Sequence, residues 1–315
     1  MSARPGRPLG AVAAAVTLCL TALFAISGCS SAQERPSIVV TTNILGDVVQ
    51  HLVGDHADVH VLMKPNADPH SFGVSAQEAG YMEEADLIVA NGLGLEEGLA
   101  SNLDNARDQD VPVLEVGDHV DPLEYSSGAS SGTADPHFWT DPGRMLQAVD
   151  VIEERLDEEL DDEEMDGVRE SASEYRGELE QLDAEVSEKL SAIPVEQRKL
   201  VTNHHVFGYL ADRFDYDVVG AIIPSGTTLA APSASDLQDL AETIRENDVP
   251  AIFVDSSQPQ KLADVLADEA GVDVQVISLY SESLTEPEEE AGSYIAMQEV
   301  NADRIAAGLT GAPAA

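Results

Sequence analysis

A regular alternation of short apolar runs with helical patterns occurs twice along the chain and most constrains its fold. The first set of predicted strands comprises residues 38–42, 59–63, 87–90 and 111–116. The second set comprises residues 200–202, 218–223, 251–254 and 274–279. Strand–helix alternation is typical of parallel sheets covered by helices. The sequence therefore predicts an α/β protein of two similar lobes, each built on a four-stranded parallel sheet.

One long, rigid helix is expected to join the two lobes. Apolar residues recur there at spacings of three and four: Met165, Val168, Ala172, Tyr175, Leu179, Leu182, Val186 and Leu190. This stripe indicates one buried helix face, and it extends roughly 38 Å at about 1.5 Å per residue. Pro194 would end the helix. We predict lobes at 37–157 and 195–315 and a linking region at 158–194. A metal site is expected in the cleft between the lobes.

The N-terminus has the pattern of an export signal. Two arginines precede an apolar run that ends in small residues, as in secretory signal peptides. The stretch ISGC at 26–29 resembles a bacterial lipobox, which implies cleavage before Cys29 and a diacylglycerol group on its sulfur. We expect residues 1–28 to be a lipoprotein signal peptide and residues 29–36 a tether. The mature chain would be extracytoplasmic and lipid-anchored at the outer face of the bacterial cell membrane.

The charge of the chain excludes one class of partner. It carries 59 acidic and 16 basic residues, for a formal net charge of −43, whereas phosphate recognition needs a basic patch. Nucleic acid is therefore not an expected partner. The acidity is typical of a protein kept soluble outside the cell or adapted to salt, and attraction of cations toward a cleft is the alternative interpretation.

The tripeptide Asp-Pro-His occurs twice, at residues 68–70 and 135–137, in a chain with eight histidines. The first copy precedes the stretch SAQE at 75–78, a capping box that begins a helix. The second precedes Asp-Pro at 141–142, an N-cap followed by proline at the first helical position. Both histidines are therefore expected in loops just before helices.

Side chains from both predicted lobes form a candidate metal site. His204 and His205 follow the first predicted strand of the second set, and Glu282 follows its last strand. Ligands bind beyond the carboxyl ends of strands in open α/β sheets, so His70 and His137 could meet His204 and Glu282 in the cleft between the lobes. Three imidazoles and one carboxylate suit a divalent transition metal.

Neighbouring residues are candidates for supporting roles. Asp68 and Asp135 each lie two residues before a histidine, where they could hold its second ring nitrogen or cap the loop. His205 is ambiguous, because adjacent histidines seldom both reach one metal. The remaining histidines lack this context and are expected at the surface: His51, His56, His60 and His119.

Four stretches in this order resemble the zinc/manganese solute-binding lipoproteins of bacterial ABC importers, the cluster with a rigid linking helix. They are PNADPHSFGVSAQEAGYMEEADLIVANGLGLE, DPHFWTDP, VTNHHVFGYL and APSASDLQDLAETIRENDVPAIFVDSSQ. The resemblance covers essentially the mature chain. It implies a binding protein that captures Zn²⁺ or Mn²⁺ and delivers it to the transmembrane subunits of an ABC permease. It also implies that His70, His137 and His204 are metal ligands. We expect this protein to be a monomer.

Three departures from the family pattern bear on the site. The final acidic ligand, usually Asp, falls at Glu282, whose side chain is one methylene longer; Asp255 and Glu286 are weaker substitutes. His205 occupies a position that is often acidic in relatives. The loop 126–133, SSGASSGT, contains no histidine where many zinc-type members carry a His-rich segment.

The resemblance leaves zinc or manganese as the cargo. Histidine at the third ligand position, His204, resembles the zinc type, and nitrogen-rich sites suit zinc whereas manganese takes more oxygen. Zn²⁺ is therefore expected, with Mn²⁺ as the alternative. An enzyme is not expected, because catalytic zinc keeps an open position beside a general base and the chain has no His-Glu-x-x-His motif. A surface metallohydrolase and an adhesin remain weaker alternatives.

Overall fold

Each half of the chain forms a four-stranded, all-parallel sheet. The computed structural model describes residues 35–126 and 128–311. The first sheet has the order β2-β1-β3-β4, with β1 (Ser37–Val40), β2 (Asp58–Val61), β3 (Leu87–Ala90) and β4 (Val113–Glu115). The second has the equivalent order β6-β5-β7-β8, with β5 (Lys199–Thr202), β6 (Asp217–Ala221), β7 (Ala251–Asp255) and β8 (Gln275–Leu279). The predicted α/β class with two lobes is confirmed.

The central strands of each sheet are apolar on both faces because helices cover both faces of the sheet. In β1, Ile38 belongs to the central core of the molecule, whereas the next residue, Val39, belongs to a separate core on the opposite face. In β3 the same alternation separates Leu87 from Ile88. A continuous apolar run therefore serves two cores at once, since successive side chains of a strand point to opposite faces.

Nine α-helices are present in the described residues. In the first half they are α1 (Asn43–Val53), α2 (Ala76–Glu83), α3 (Ala100–Asp108) and α4 (Pro142–Glu159), and α5 (Asp162–Ser191) follows as the long linking helix. In the second half they are α6 (Gly208–Phe214), α7 (Ala234–Glu246), α8 (Lys261–Ala270) and α9 (Tyr294–Thr310). The predicted capping box begins α2, where the Ser75 hydroxyl accepts from the Glu78 N–H at 3.3 Å and Glu78 accepts from the Ser75 N–H at 2.8 Å. None of the described helices is long and apolar enough to cross a membrane.

The linking helix α5 ties the two lobes into one core. It has 30 residues, which is roughly 45 Å at the usual rise. All eight residues of its apolar stripe, from Met165 to Leu190, are buried. The helix packs on α1, α4 and α9, and the central core continues through it from one sheet to the other. This shared core limits how far one lobe can tilt against the other.

Several elements are shorter than the sequence predicts. The predicted strand 111–116 is β4 only at Val113–Glu115, because the chain then turns into a 3₁₀ helix at Val116–His119. Near the end of the predicted loop 126–133, the Gly132 N–H donates to the carbonyl of Tyr125, the residue just before the loop, at 2.9 Å. The predicted signal peptide and Cys29 lie outside the described residues.

Candidate metal centre

The repeated tripeptide Asp-Pro-His folds twice into the same local turn. Asp68 Oδ1 accepts from the backbone N–H of His70 at 2.9 Å. Asp135 Oδ1 accepts from the backbone N–H of His137 at 3.0 Å. An aspartate that bonds the backbone two residues on forms an Asx turn, and the intervening proline fixes φ. Each turn holds its histidine side chain at the carboxyl edge of the first sheet.

The other two site residues come from the carboxyl edge of the second sheet. His204 follows β5, and its carbonyl accepts from the Thr202 hydroxyl at 2.6 Å. Glu282 follows β8, and its N–H donates to Asp255 Oδ2 at 3.0 Å. The same carboxylate oxygen accepts from the N–H and hydroxyl of Ser281 at 3.1 and 2.8 Å. Asp255, at the end of β7, therefore positions the Glu282 loop.

Four side chains from the two lobes converge at one point. One ligand-type atom from each of His70, His137, His204 and Glu282 lies within 4.8 Å of all the others. The Nε2 atom of His137 is 3.4 Å from the Nε2 atoms of both other histidines. The Glu282 carboxylate oxygens lie 3.4, 3.6 and 3.5 Å from Nε2 of His70, His137 and His204. All four residues are at most 2% exposed.

The electrostatics of this cluster favour a cation at its centre. Both carboxylate oxygens of Glu282 are buried and have no hydrogen-bond partner among the described residues. Burial, reinforced by the nearby Asp255 charge, raises the pKa of Glu282 well above its usual value. Burial lowers the pKa of His70 to about 3 and that of His204 well below its usual value. The imidazoles of His70 and His204 are thus held neutral, as metal ligation requires, beside a carboxylate that needs a positive partner.

Contacts at Nδ1 fix the orientation of two of the three imidazole rings, those of His137 and His204. Asp135 Oδ1 lies 2.7 Å from His137 Nδ1, so it accepts that N–H and leaves the Nε2 lone pair facing the cluster. The Tyr125 hydroxyl lies 3.2 Å from the same Nδ1 atom. The side-chain amide of Asn203 is 3.0 Å from His204 Nδ1, and its oxygen can accept the Nδ1–H after a flip of the amide.

The remaining predicted residues have other contacts. Asp68 caps its turn, and its second oxygen accepts from Thr228 and Gln258 in the other lobe rather than from the His70 ring. The His205 ring faces a separate cavity of about 460 Å³ and is not part of the cluster. Glu286 is exposed. Asp255 Oδ2 accepts from the Glu282 loop, and its Oδ1 accepts from Ser257.

The sequence did not single out three residues beside the cluster. Glu97 Oε1 lies 4.0 Å from His70 Nδ1, while Tyr125 and Asn203 contact the other two rings. Asn203 could have been noted because it is adjacent to His204. Glu97 and Tyr125 had no local signal, since their proximity arises from the packing of separate loops.

A family model described as ZnuA, zinc-uptake complex component A, periplasmic, matches residues 38–308. This span includes all four residues of the cluster and nearly all of both lobes. The chain belongs to this family. The resemblance expected from the four sequence stretches is thereby confirmed.

The relatives of this protein are named for different metals. The zinc-binding protein TroA of Treponema pallidum (strain Nichols) is 30% identical over 286 residues, which cover 89% of this chain and 91% of TroA. The iron-binding protein YfeA of Yersinia pestis is 30% identical over 293 residues, covering 93% and 92%. The manganese-binding lipoprotein MntA of Halalkalibacterium halodurans is 28% identical over 286 residues, covering 90% and 92%.

Solved structures have the same fold. The periplasmic zinc-binding protein TroA from Treponema pallidum superimposes with a TM-score of 0.79 at 30% identity, covering 87% of this chain and 99% of that chain. A manganese-bound periplasmic protein from Candidatus Liberibacter asiaticus gives 0.77 at 24% identity, covering 87% and 100%. Family members are metal-binding, substrate-binding components of ABC importers. Since the relatives are named for zinc, iron and manganese, membership does not select one metal.

Proposed function

We propose that this protein is the extracytoplasmic component of an ABC importer that captures one Zn²⁺ ion between its lobes and delivers it to a membrane permease. The observation that carries this proposal is the convergence of three buried imidazoles on a buried carboxylate that has no hydrogen-bond partner in the described part of the chain. His70, His137, His204 and Glu282 would be the four ligands. The ion is cargo, so the site must release it as well as bind it.

The donor set supports zinc in particular. Three imidazole nitrogens and one carboxylate oxygen form a typical four-coordinate zinc shell. Four protein ligands leave no open position for a reacting water, which favours a binding protein over a metallohydrolase. Mn²⁺ is the second candidate. It prefers more oxygen ligands, and the longer side chain of Glu282 directs both of its oxygens toward the cluster.

We further propose a lipid anchor at the N-terminus of the mature chain and a division of that chain into two lobes and a linking region. The ISGC stretch at 26–29 and the relatives named as lipoproteins support cleavage before Cys29, with lipid on its sulfur as the membrane anchor. The bounds of α5 support a linking region at 158–194 between lobes at 37–157 and 195–315. We propose that the protein acts as a monomer.

Competition between the two metals tests the proposed cargo. The protein is dialysed to equilibrium against equal concentrations of Zn²⁺ and Mn²⁺, and the bound metals are measured by elemental analysis. We expect about one zinc per chain and little manganese, because nitrogen-rich sites bind zinc much more tightly than manganese. A chelator should then remove the zinc from the folded protein, which should bind it again. Preferential retention of manganese would contradict zinc as the cargo.

A further inference from the structure

A short segment of the second lobe, residues 226–228, is contacted by three side chains of the first lobe. We call this segment, in the loop between β6 and α7, the 226–228 latch. The Tyr125 hydroxyl donates to the carbonyl of residue 226 at 3.3 Å. The Thr227 hydroxyl donates to Glu97 Oε1 at 2.7 Å, and the Thr228 hydroxyl donates to Asp68 Oδ2 at 2.6 Å. Three consecutive residues thus bond across the cleft.

Each of these three first-lobe side chains also contacts a histidine of the cluster. Asp68 Oδ1 accepts from the His70 N–H at 2.9 Å. Glu97 Oε1, the atom that accepts from the latch, lies 4.0 Å from His70 Nδ1. The Tyr125 hydroxyl lies 3.2 Å from His137 Nδ1. The same side chains therefore touch the cluster on one side and the opposite lobe on the other.

The fit between the latch and the first lobe is tight. A Cβ atom on Gly226 would overlap the ring of Tyr125, so only glycine allows this approach. The Gly226 N–H donates to the Ser130 hydroxyl at 3.1 Å, and the Ala129 N–H donates to the Pro224 carbonyl at 3.1 Å. These two bonds join the latch and the residues just before it to the loop 126–133, which contains no histidine.

We propose that the 226–228 latch couples occupancy of the metal site to the contact between the lobes. Asp68, Glu97 and Tyr125 would be positioning residues that link the cluster histidines to the latch. This inference rests on the proposed function, because it assigns a role to groups around the same site. It goes beyond that function by naming the contacts that must open before the ion leaves.

The physical link runs through the two rings of the first lobe. A cation on Nε2 fixes a ring in place and makes its Nδ1–H a better donor. His70 Nδ1 is buried without a hydrogen-bond partner among the described residues, and the Glu97 carboxylate lies 4.0 Å from it. Ion binding thus favours the Glu97 orientation that accepts from Thr227. By reciprocity, latch contacts that favour the occupied state also slow release of the ion.

Removal of the latch hydroxyls tests the coupling. The variant is Thr227→Val/Thr228→Val, which keeps side-chain shape. Full-length protein is loaded with Zn²⁺, and release into excess chelator is followed. We expect one zinc per chain, as in the wild type, but release about 10- to 100-fold faster, which corresponds to loss of the two threonine hydrogen bonds that cross the cleft, each of ordinary strength. Thr243→Val is the matched control, since its hydroxyl bonds to Asp239 O within α7, and it should release zinc at the wild-type rate.

A second readout and a second variant distinguish coupling from general destabilisation. Zinc should slow amide hydrogen exchange in the peptide 224–232 of the wild type and of Thr243→Val, but not in the double valine variant. Gly226→Ala should also speed release, because its methyl group displaces Tyr125. If the wild type binds zinc but the rates of zinc release and amide exchange are unchanged in these variants, the proposed role of the latch is wrong and the proposed function stands. Wild-type protein that takes up no zinc overturns the proposed function and the latch together.

Discussion

Replacement of His137 with alanine is expected to lower zinc affinity by more than about 100-fold. Substitution of groups that merely orient a ligand already costs about 10- to 100-fold in metal affinity. His137 is at the centre of the cluster, with its Nε2 atom 3.4 Å from those of both His70 and His204. The variant would leave only two imidazoles and one carboxylate, with a cavity where the third ring had been.

Elemental analysis after removal of free metal provides the measurement. Wild-type protein should retain about one zinc per chain, and His137→Ala close to none. His205→Ala is the matched control: the same residue type is removed next to His204, but from a ring that faces a different cavity. The control should retain about one zinc. Full retention of zinc by His137→Ala, or equal loss in His205→Ala, would contradict the assigned ligands.

Replacement of Glu282 with glutamine is expected to have opposite effects on metal binding and on stability. Glutamine keeps the size of the side chain but removes the negative charge that faces the three imidazoles. Zinc affinity should fall by more than about 100-fold, as for loss of any ligand. The metal-free protein should become more stable near pH 8, by roughly 1–3 kcal/mol, because glutamine removes the cost of burying a carboxylate that has no hydrogen-bond partner among the described residues.

The pH dependence of stability follows from the direction in which burial shifts the pKa of Glu282. Burial raises the pKa of Glu282 in the folded, metal-free protein well above the value of 4.5 for an ordinary glutamate. Between these two values the folded state binds more protons than the unfolded state, so stability falls as pH rises. The stabilising contribution of protonated Glu282 is fully present below about pH 4.5 and is lost as pH rises through the pKa of Glu282 in the folded protein. Glu282→Gln does not show this loss of stability.

Thermal unfolding of metal-free protein at pH 5 and pH 8 measures the effect. The advantage of Glu282→Gln over the wild type should be larger at pH 8 than at pH 5. Glu286→Gln is the matched control, because Glu286 is exposed and its replacement should change neither zinc binding nor the pH trend. A Glu282→Gln protein that binds zinc like the wild type, or that is less stable than the wild type at pH 8, would argue against Glu282 as the charged ligand.

The framework of the site could be predicted from the sequence because its signals are local. β3 was predicted with its observed bounds, Leu87–Ala90, since a short apolar run between turn residues has few alternatives. The stripe on α5 was predicted residue by residue from its spacing. Asp-Pro-His defines a turn by itself, through an aspartate that bonds two residues on and a proline with fixed φ. Strand ends were less accurate, as at β4, because they depend on the pairing partner.

The contacts around the cluster could not be predicted because they join residues far apart in the chain. Residue type alone does not distinguish His204 from His205, and only the family resemblance selects His204. In the fold His204 points into the cluster, while the His205 N–H donates to Ser225 O at 3.0 Å and its ring turns to another cavity. Asp255 could have been a ligand by residue type. The packing of β7 beside β8 makes it the acceptor for the Glu282 loop instead.

The central claim is that one divalent cation is held between the lobes by three histidines and Glu282. Anomalous diffraction at the zinc absorption edge, from crystals of the protein loaded with one equivalent of Zn²⁺, tests this claim most directly. We predict a single strong anomalous peak about 2.0–2.2 Å from Nε2 of His70, His137 and His204 and from a carboxylate oxygen of Glu282. A zinc peak bound to other residues, or a fully loaded crystal with no peak at this cluster, would contradict the account.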